Sequence, residues 1–283
     1  MKTLTELQAA DAYCRYLAGR HYENFSVASL IVPSALRLHL ARIYAFCRTT
    51  DDLGDESGPS ALPRLALWRE QVHQCFDGGP DPVHPVLLAL RRTVAAFDLS
   101  PHPFLDLIEA NVQDQLVSTY DTWDELRRYC LLSAAPVGRL VLRVFGVRDP
   151  HAGTLSDDVC IGLQLANFAQ DVAVDRAKGR IYLPQSDLRA HSLHGAVRVT
   201  CERAQSLLAS GRELEGMVPS RLRVQLALYR LGGTAILAAI RRMGYCTDRE
   251  RPHVSPTVKA GLVPRAFIQS RRRRGYVRTQ QAV

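Results

Sequence analysis

The amino-acid sequence predicts an all-helical protein. Apolar residues recur at intervals of three and four, for example at Leu36, Leu40, Ile43 and Cys47, which is the spacing of one buried helix face. Strict alternation of apolar and polar residues over the length of a strand is hard to find. Glycine, proline and small polar residues interrupt the pattern in clusters and divide the chain into about eight to ten helices. Together, these three observations predict an all-α fold.

The breaks between the predicted helices are short, and none has the composition of an interdomain linker. They fall at residues 56–63, 77–85, 100–103 and 146–153, with further breaks near Pro184, Pro219 and Pro252. The sequence has no repeat of fixed period and no glycine-rich turn of the kind that opens a dinucleotide-binding unit, so no nicotinamide cofactor is expected. A length of 283 residues is compatible with one large domain. We therefore predict a single domain over residues 1–283, with a basic tail at about 265–283.

Positive charge is concentrated near the end of the chain. The formal net charge is +8, but residues 241–283 hold eleven Lys or Arg against only Asp248 and Glu250. The preceding 240 residues are therefore close to neutral. A near-neutral body lacks the basic face that nucleic-acid binding requires, so no nucleic-acid partner is expected.

Cysteine usage and hydropathy predict a cytoplasmic setting. The seven cysteines are odd in number and never form a C-x-x-C pair, so neither a disulfide framework nor a zinc site is indicated. Residues 1–18 lack the apolar core of a signal peptide. The longest apolar stretch, 131–145, is interrupted by Pro136, Arg139 and Arg143, which makes it a poor bilayer span.

The first candidate site is the acidic segment C-R-T-T-D-D-L-G-D-E at residues 47–56. Asp51 and Asp55 are four residues apart, so their carboxylates project from the same helix face and repel each other. Negative charge at the end of a helix also opposes the helix dipole. A bound divalent cation would relieve both penalties. The alternative is an acidic loop that faces water, with Gly54 ending the helix.

The second candidate site lies about 120 residues later, in the segment 164–175. Asn167, Asp171 and Asp175 follow one another at intervals of four and form a polar stripe on an otherwise apolar helix. Uncompensated carboxylates are costly to bury, whereas Mg²⁺ binds to one or two carboxylates together with substrate phosphate oxygens. The alternative is a surface helix whose acids pair with the basic residues at 176, 178 and 180.

Taken together, the two acidic motifs resemble those of the squalene/phytoene synthase family. The likeness covers nearly the whole chain and is carried by residues 21–26, 43–48, Tyr129, 137–138, 164–175 and 180–182. It implies the isoprenoid (terpenoid) synthase fold, in which helices surround a central cavity and two aspartate-rich helices bind magnesium and diphosphate. Within the family the sequence is most similar to the hydroxysqualene synthases of bacterial hopanoid synthesis. One departure is Gln170, because many phytoene and dehydrosqualene synthases have arginine immediately before the second motif.

This resemblance assigns roles to individual residues. Asp51, Asp55, Asp171 and Asp175, with Asn167 as a neutral oxygen ligand, would hold Mg²⁺, with Mn²⁺ as the alternative ion. Residues expected to act in catalysis besides these aspartates are Tyr44 and Tyr129, whose rings can face a carbocation. Residues expected to bind substrate are His21, Phe25, Ser26, Arg48, Val137, Gly138, Gln164, Asn167, Arg180 and Tyr182.

Arg48 has two possible partners, since it precedes Asp51 by about one helical turn. Its planar guanidinium can grip phosphate oxygens, or it can form a salt bridge with Asp52 or Asp55. The remaining basic feature, Arg271, Arg272, Arg273 and Arg274, suits anionic lipid head groups. A peripheral contact at the inner face of the membrane is therefore expected as the alternative to a solvated terminus.

The resemblance predicts ionisation of presqualene diphosphate and capture of the cation by water, which gives hydroxysqualene and diphosphate. One alternative is a head-to-head prenyl synthase that makes presqualene diphosphate, squalene, dehydrosqualene or phytoene with the same aspartates. A second alternative is a non-catalytic scaffold protein of the same fold.

Overall fold

The computed structural model describes residues 3–20, 32–77 and 79–271 of the chain. Within these ranges the secondary structure is helical and contains no β-strand, which confirms the predicted all-α fold. The α-helices are α1 Leu4–Arg20, α2 Ser34–Asp55, α3 Ala61–His73, α4 Pro85–Phe97, α5 His102–Leu116, α6 Trp123–Ser133, α7 Ala135–Val144, α8 Pro150–Gln170, α9 Val172–Ala177, α10 Gln185–Ala190, α11 Leu193–Met217, α12 Ser220–Arg242 and α13 Pro256–Arg271, with a 3₁₀ turn at Gly58–Ser60.

The predicted number of helices was too low. Two helices in the described ranges, α9 and α10, are only six residues long, below the length at which apolar periodicity is recognisable. The boundary between α8 and α9 falls at Asp171, where the sequence has neither glycine nor proline. None of the described helices has the length and hydropathy needed to span a membrane.

The chain divides into two compact units. The first comprises Met1–Leu116 and Arg139–Arg148, and the second comprises Val117–Gly138 and Asp149–Val283. The chain passes from the second unit back to the first within α7. We predicted a single domain over residues 1–283, which requires the two units to associate. This stays a prediction.

In the first unit, α2 lies in the core and is held by buried polar and aromatic contacts. Its Arg42 forms a buried ion pair with Asp11 of α1, 2.7 Å from Nη2 to Oδ1. Immediately before Asp51, the buried Thr50 hydroxyl accepts a hydrogen bond of 2.9 Å from Trp68 Nε1. The ring of Trp68, which lies on α3, stacks on Phe46 of α2. These contacts fix the rotation of α2 and thereby the direction in which its acidic end projects.

In the second unit, α8 packs closely against α11. Gly162 of α8 allows this approach, because a Cβ on it would lie 3.1 Å from the backbone nitrogen of Leu208. Further along the same unit, the buried pair Arg230 Nε and Glu215 Oε1, 2.7 Å apart, joins α12 to α11. Arg230 also donates to Gln269 of α13. The helix that carries the second acidic motif is therefore part of a packed core.

Candidate functional site

The acidic end of α2 is helical throughout. The helix extends to Asp55, so Asp51 and Asp55 lie one turn apart, and both are exposed to solvent. Gly54 is buried inside the helix and does not end it. The alternative is therefore wrong in placing a helix end at Gly54, although the side chains of Asp51 and Asp55 face solvent as it expected.

Gly54 is required because α5 approaches α2 at this point. A Cβ on Gly54 would lie 2.5 Å from Asn111 Oδ1, far inside van der Waals contact. The Asn111 amide nitrogen donates to Asp51 Oδ1 at 3.3 Å and to the Leu107 carbonyl at 3.0 Å. Gln115, one turn later, donates to the Gly54 carbonyl at 3.2 Å. The glycine thus makes room for an amide that orients the first aspartate.

Asn111 and Gln115 were not predicted from the sequence. The two amides are four residues apart on α5 and so share a face, which is the only local signal they offer. Their partners are 60 and 61 residues away along the chain. No spacing rule within one helix connects residues at that separation.

The electrostatic environment of Asp51 disfavours its charge. Desolvation by the surrounding protein raises the pKa of this carboxyl to about 6, although the Asn111 hydrogen bond and the charge of Arg48 act in the opposite direction. The neighbouring Asp55 and Asp52 charges raise the pKa further. The carboxylate is solvent-accessible and yet poorly solvated, which is the condition that a bound cation relieves.

Arg48 engages the acids that are not predicted metal ligands. Its Nη2 forms an ion pair with Asp52 Oδ1, and lies 3.6 Å from Glu56 Oε1. Of the two salt-bridge partners considered, the structure therefore selects Asp52. Tyr44 lies one turn before Arg48 on α2, and burial raises the pKa of its hydroxyl. The substrate-binding role of Arg48 and the catalytic role of Tyr44 stay predictions.

The second acidic motif lies across a helix break. Asp171 ends α8 with backbone angles of φ −102° and ψ 19°, and α9 begins at the next residue. The Asp171 amide nevertheless donates to the Asn167 carbonyl, and the Asp175 amide donates to the Asp171 carbonyl. These hydrogen bonds keep the three polar residues in helical succession although the helix is interrupted.

Asp171 is paired with an arginine from a distant loop. Arg251 donates to both carboxylate oxygens, through Nε to Oδ1 and through Nη2 to Oδ2, the latter at 3.1 Å. The preceding residue, Gln170, is buried and donates through Nε2 to the Pro252 carbonyl at 2.6 Å. The alternative interpretation paired the acids of this motif with the basic residues at 176, 178 and 180, but the partner of Asp171 is Arg251, which was not predicted from the sequence.

Four aromatic rings gather beside the second motif. Phe168 and Tyr182 stack with centroids 4.2 Å apart and planes inclined by 6°. Tyr129 lies 5.6 Å from Tyr182, and Tyr120 lies 5.2 Å from Tyr129. The backbone pairing between Ile181 and residues 118–119 holds two of these rings together. Two of the predicted residues, Tyr129 and Tyr182, are therefore neighbours.

A pocket of about 240 Å³ opens next to this cluster. Its lining includes Asp175, Arg180, Phe168 and Tyr182. The pocket therefore brings together three residues that were predicted from the sequence: Asp175, Arg180 and Tyr182. The apolar ring of Phe168 lines it as well. Such a lining suits a ligand with an anionic head and an apolar body.

The remaining predicted residues lie in different surroundings. Asn167 is exposed on α8 and Gln164 is partly exposed. Gly138 packs against α8, because a Cβ would lie 2.5 Å from Ser156 Oγ and 2.6 Å from Cys160 Sγ. Val137 is half-buried beside it. Their binding roles stay predictions.

Three of the predicted substrate-binding residues, His21, Phe25 and Ser26, lie outside the described residues, as do Arg272, Arg273 and Arg274.

The oxygen donors of each motif fit part of a magnesium shell. In the described part of the chain, no group of three or more His, Cys, Asp or Glu side chains is arranged to hold a metal ion. Carboxylates in pairs suit Mg²⁺, which retains several waters and takes phosphate oxygens from its substrate. A cation already sits on Asp171 in the form of the Arg251 guanidinium. Both motifs therefore have the chemistry of a site that shares its metal with a phosphorylated ligand.

Helical architecture, paired aspartates and adjoining aromatic rings define a protein that handles an anionic group attached to an apolar body. The family model for squalene/phytoene synthase matches residues 18–257. The chain belongs to the squalene/phytoene synthase family and has the isoprenoid synthase fold. Members of this family are enzymes that act on isoprenoid diphosphates.

Three relatives illustrate the range of the family. The structure of squalene synthase HpnC from Alicyclobacillus acidocaldarius superposes with a TM-score of 0.80 and 47% identity, covering 86% of this chain and 97% of that one. The phytoene synthase of Arthrospira platensis is 31% identical, covering 94% of this chain and 96% of the relative. The hydroxysqualene synthase of Rhodopseudomonas palustris is also 31% identical, covering 83% and 84%. The chain is thus equally identical to a phytoene synthase and to a hydroxysqualene synthase.

Proposed function

We propose that this protein ionises presqualene diphosphate in a magnesium-dependent reaction and that water captures the cation, which gives hydroxysqualene and diphosphate. The similarity to the squalene synthase HpnC structure and to the hydroxysqualene synthase of Rhodopseudomonas palustris supports this choice within the family. The segments at residues 21–28, 47–56 and 170–175 resemble the same subgroup.

The observation that carries the proposal is the juxtaposition of acids and aromatic rings in the second unit. Asp175 and Tyr182 line one pocket, and Phe168 stacks on Tyr182. Ionisation creates a diphosphate anion and a carbocation at the same time. Carboxylates that hold a metal stabilise the first, and the faces of aromatic rings stabilise the second.

The residues of the chain divide this work. Asp51, Asp55, Asp171 and Asp175, with Asn167, would hold magnesium, which when bound neutralises charge on the departing diphosphate. Arg180 lines the pocket and can donate to phosphate oxygens. The carbon–oxygen bond breaks and its electron pair leaves with the diphosphate. The cyclopropyl cation then rearranges, and a carbon–carbon bond of its ring breaks. The oxygen of a water molecule bonds to the rearranged cationic carbon and releases a proton.

Product analysis distinguishes this reaction from its alternatives. The purified chain is incubated with Mg²⁺ and presqualene diphosphate, farnesyl diphosphate or geranylgeranyl diphosphate, in water enriched in ¹⁸O. We expect hydroxysqualene that carries ¹⁸O from presqualene diphosphate, and no coupled product from the other two. A coupled product from farnesyl diphosphate alone would identify a head-to-head prenyl synthase. Absence of any product would favour the scaffold alternative.

A peripheral contact with an anionic membrane is proposed for the end of the chain. On α13, Phe267 and Ile268 are exposed apolar residues, and Arg265 and Arg271 on the same helix are also exposed. Exposed apolar and basic side chains side by side suit a lipid surface. We expect co-sedimentation with phosphatidylglycerol vesicles that weakens as salt increases and is reduced after deletion beyond Ser270, which removes Arg271 and the arginines after it but keeps Phe267 and Ile268. Equal sedimentation of both proteins would contradict this contact.

A further inference from the structure

The Arg251 and Asp171 side chains form a bidentate pair, and a metal bound to Asp171 would compete with the guanidinium for the same oxygens. The guanidinium addresses both carboxylate oxygens at once, which is the geometry of the strongest carboxylate contacts that arginine makes. A carboxylate held in this way has its charge balanced and its lone pairs engaged. Metal binding at Asp171 therefore requires the guanidinium to move from at least one oxygen.

The loop that carries Arg251 is anchored to the same turn of the chain. Gln170, immediately before Asp171, donates to the carbonyl of Pro252, immediately after Arg251. Pro252 and Val254 are buried, whereas Arg251 and His253 are exposed. Two consecutive residues, Gln170 and Asp171, are thus hydrogen-bonded to two consecutive residues of the loop, Pro252 and Arg251 respectively. The guanidinium is held close to Asp171 by a fixed backbone, even when its ion pair opens.

Release of Arg251 needs another anion nearby. A guanidinium displaced into water by a metal ion alone loses its bidentate partner, and that loss opposes metal binding. If diphosphate arrives with the metal, its oxygens offer the same planar fork a new bidentate partner. The cost of opening the ion pair is then offset. Metal and diphosphate should consequently bind this half of the site more tightly together than separately.

We propose that Arg251 is a positioning residue that couples metal binding at Asp171 to diphosphate binding. It holds the aspartate in the metal-free protein and transfers to diphosphate oxygens when metal and diphosphate bind together. This inference rests on the proposed function, since it assumes that Asp171 is a metal ligand.

Equilibrium dialysis of the full chain against Mn²⁺, with and without inorganic pyrophosphate, tests the coupling. The manganese–pyrophosphate complex crosses the membrane, so retained ion reports protein-bound metal. In Arg251→Gln we expect Mn²⁺ alone to bind about threefold to tenfold more tightly, and the enhancement by pyrophosphate to fall by about tenfold, within the usual range of coupling between sites. Arg249→Gln, which neutralises an exposed arginine of the same loop, should behave like the wild type.

A second variant separates coupling from folding. Gln170→Met keeps the buried volume but removes the amide that holds Pro252, so it should lower the pyrophosphate enhancement by a smaller factor than Arg251→Gln. Circular dichroism establishes that each variant is folded. Unchanged Mn²⁺ affinity and unchanged enhancement in folded Arg251→Gln would overturn the inference.

Two outcomes distinguish failure of the Arg251 role from failure of the proposed metal site. Wild-type chain that forms hydroxysqualene while Arg251→Gln shows normal coupling would leave the proposed function standing and remove the role of Arg251. Wild-type chain that retains no Mn²⁺ with or without pyrophosphate would overturn the metal site and the coupling together.

Discussion

The two acidic motifs have the same spacing but different electrostatic settings. Asp51 lies in a continuous helix and accepts a hydrogen bond from the neutral amide of Asn111. Asp171 lies at a helix break and accepts two hydrogen bonds from the guanidinium of Arg251. On α2, the arginine of the motif, Arg48, pairs with Asp52 and not with Asp51 or Asp55. In the second motif, Arg251 pairs with the predicted ligand Asp171 itself.

One sequence spacing therefore places its aspartates in two different electrostatic settings. The α2 motif concentrates negative charge that a metal would neutralise directly. In the motif at α8 and α9, Arg251 already balances the charge of Asp171, so a metal that bound there would exchange with the guanidinium. The first arrangement should favour metal binding in itself, and the second should make binding depend on what else is present.

The largest expected effect is loss of activity on neutralising either motif. Asp51→Asn and Asp171→Asn each remove a proposed metal ligand, and we expect turnover of presqualene diphosphate to fall by about 10²- to 10³-fold or more. Initial rates at saturating Mg²⁺ measure the loss. If the motifs serve one site, the double variant should lose little more than the worse single variant.

Asp98→Asn is the matched control for these substitutions. Asp98 is 92% exposed and has a positive φ of 51°, a conformation that asparagine adopts as readily as aspartate. Its activity should equal that of the wild type. Full activity in Asp51→Asn, with activity lost in Asp171→Asn, would show that the α2 motif is not part of the site. Only the motif at α8 and α9 would then contribute to activity.

A smaller effect is expected from the amide that orients Asp51. Asn111→Leu keeps similar bulk but removes the donor, and loss of such a supporting hydrogen bond typically weakens metal binding by about 10-fold. The Mg²⁺ concentration for half-maximal activity should rise accordingly. Gly54→Ala should act in the same direction, since its Cβ would displace the Asn111 side chain.

Gln115→Leu is the control for packing between α5 and α2. Its amide donates to the Gly54 carbonyl rather than to a carboxylate, so its loss should lower the melting temperature with little change in the Mg²⁺ requirement. Equal Mg²⁺ requirements in Asn111→Leu and Gln115→Leu would show that Asn111 supports the helix rather than the aspartate.

The sequence predicted the helical class and both acidic pairs because these depend on local periodicity. It could not predict the partners of those pairs, since Arg251 is 80 residues from Asp171 and Asn111 is 60 residues from Asp51. Gly54 was interpreted as a possible helix end because glycine is common there. Its actual reason is the approach of α5, which only the tertiary structure contains.

The break at Asp171 was missed for a related reason. Apolar residues on both sides of it continue the helical spacing, and neither glycine nor proline marks the interruption. The hydrogen bonds of the flanking amides to Asn167 and Asp171 preserve the helical succession across the break. Because the helical spacing of apolar residues continues across the break, the sequence gives no sign of it.

The smallest expected effect is a difference in stability between the two motifs without metal. Asp51→Asn removes like-charge repulsion with Asp55 and an unfavourable charge near the end of α2, each worth a few tenths of a kcal/mol, so the melting temperature in EDTA should rise by roughly 1–3 °C. Asp171→Asn loses a half-exposed ion pair worth roughly 0–1 kcal/mol. Its melting temperature should stay the same or fall.

Magnesium should place the melting temperature of the wild type above those of both variants, because a ligand that binds only the folded state stabilises it. With saturating Mg²⁺ and pyrophosphate, the wild type should gain stability that both variants lack. Thermal unfolding followed by circular dichroism at 222 nm, a standard helix signal, measures both conditions, with Asp98→Asn as the reference. If Asp51→Asn lowered the melting temperature in EDTA as much as Asp171→Asn, the carboxylate of Asp51 would already be balanced in the metal-free protein. The two motifs would then differ in geometry alone.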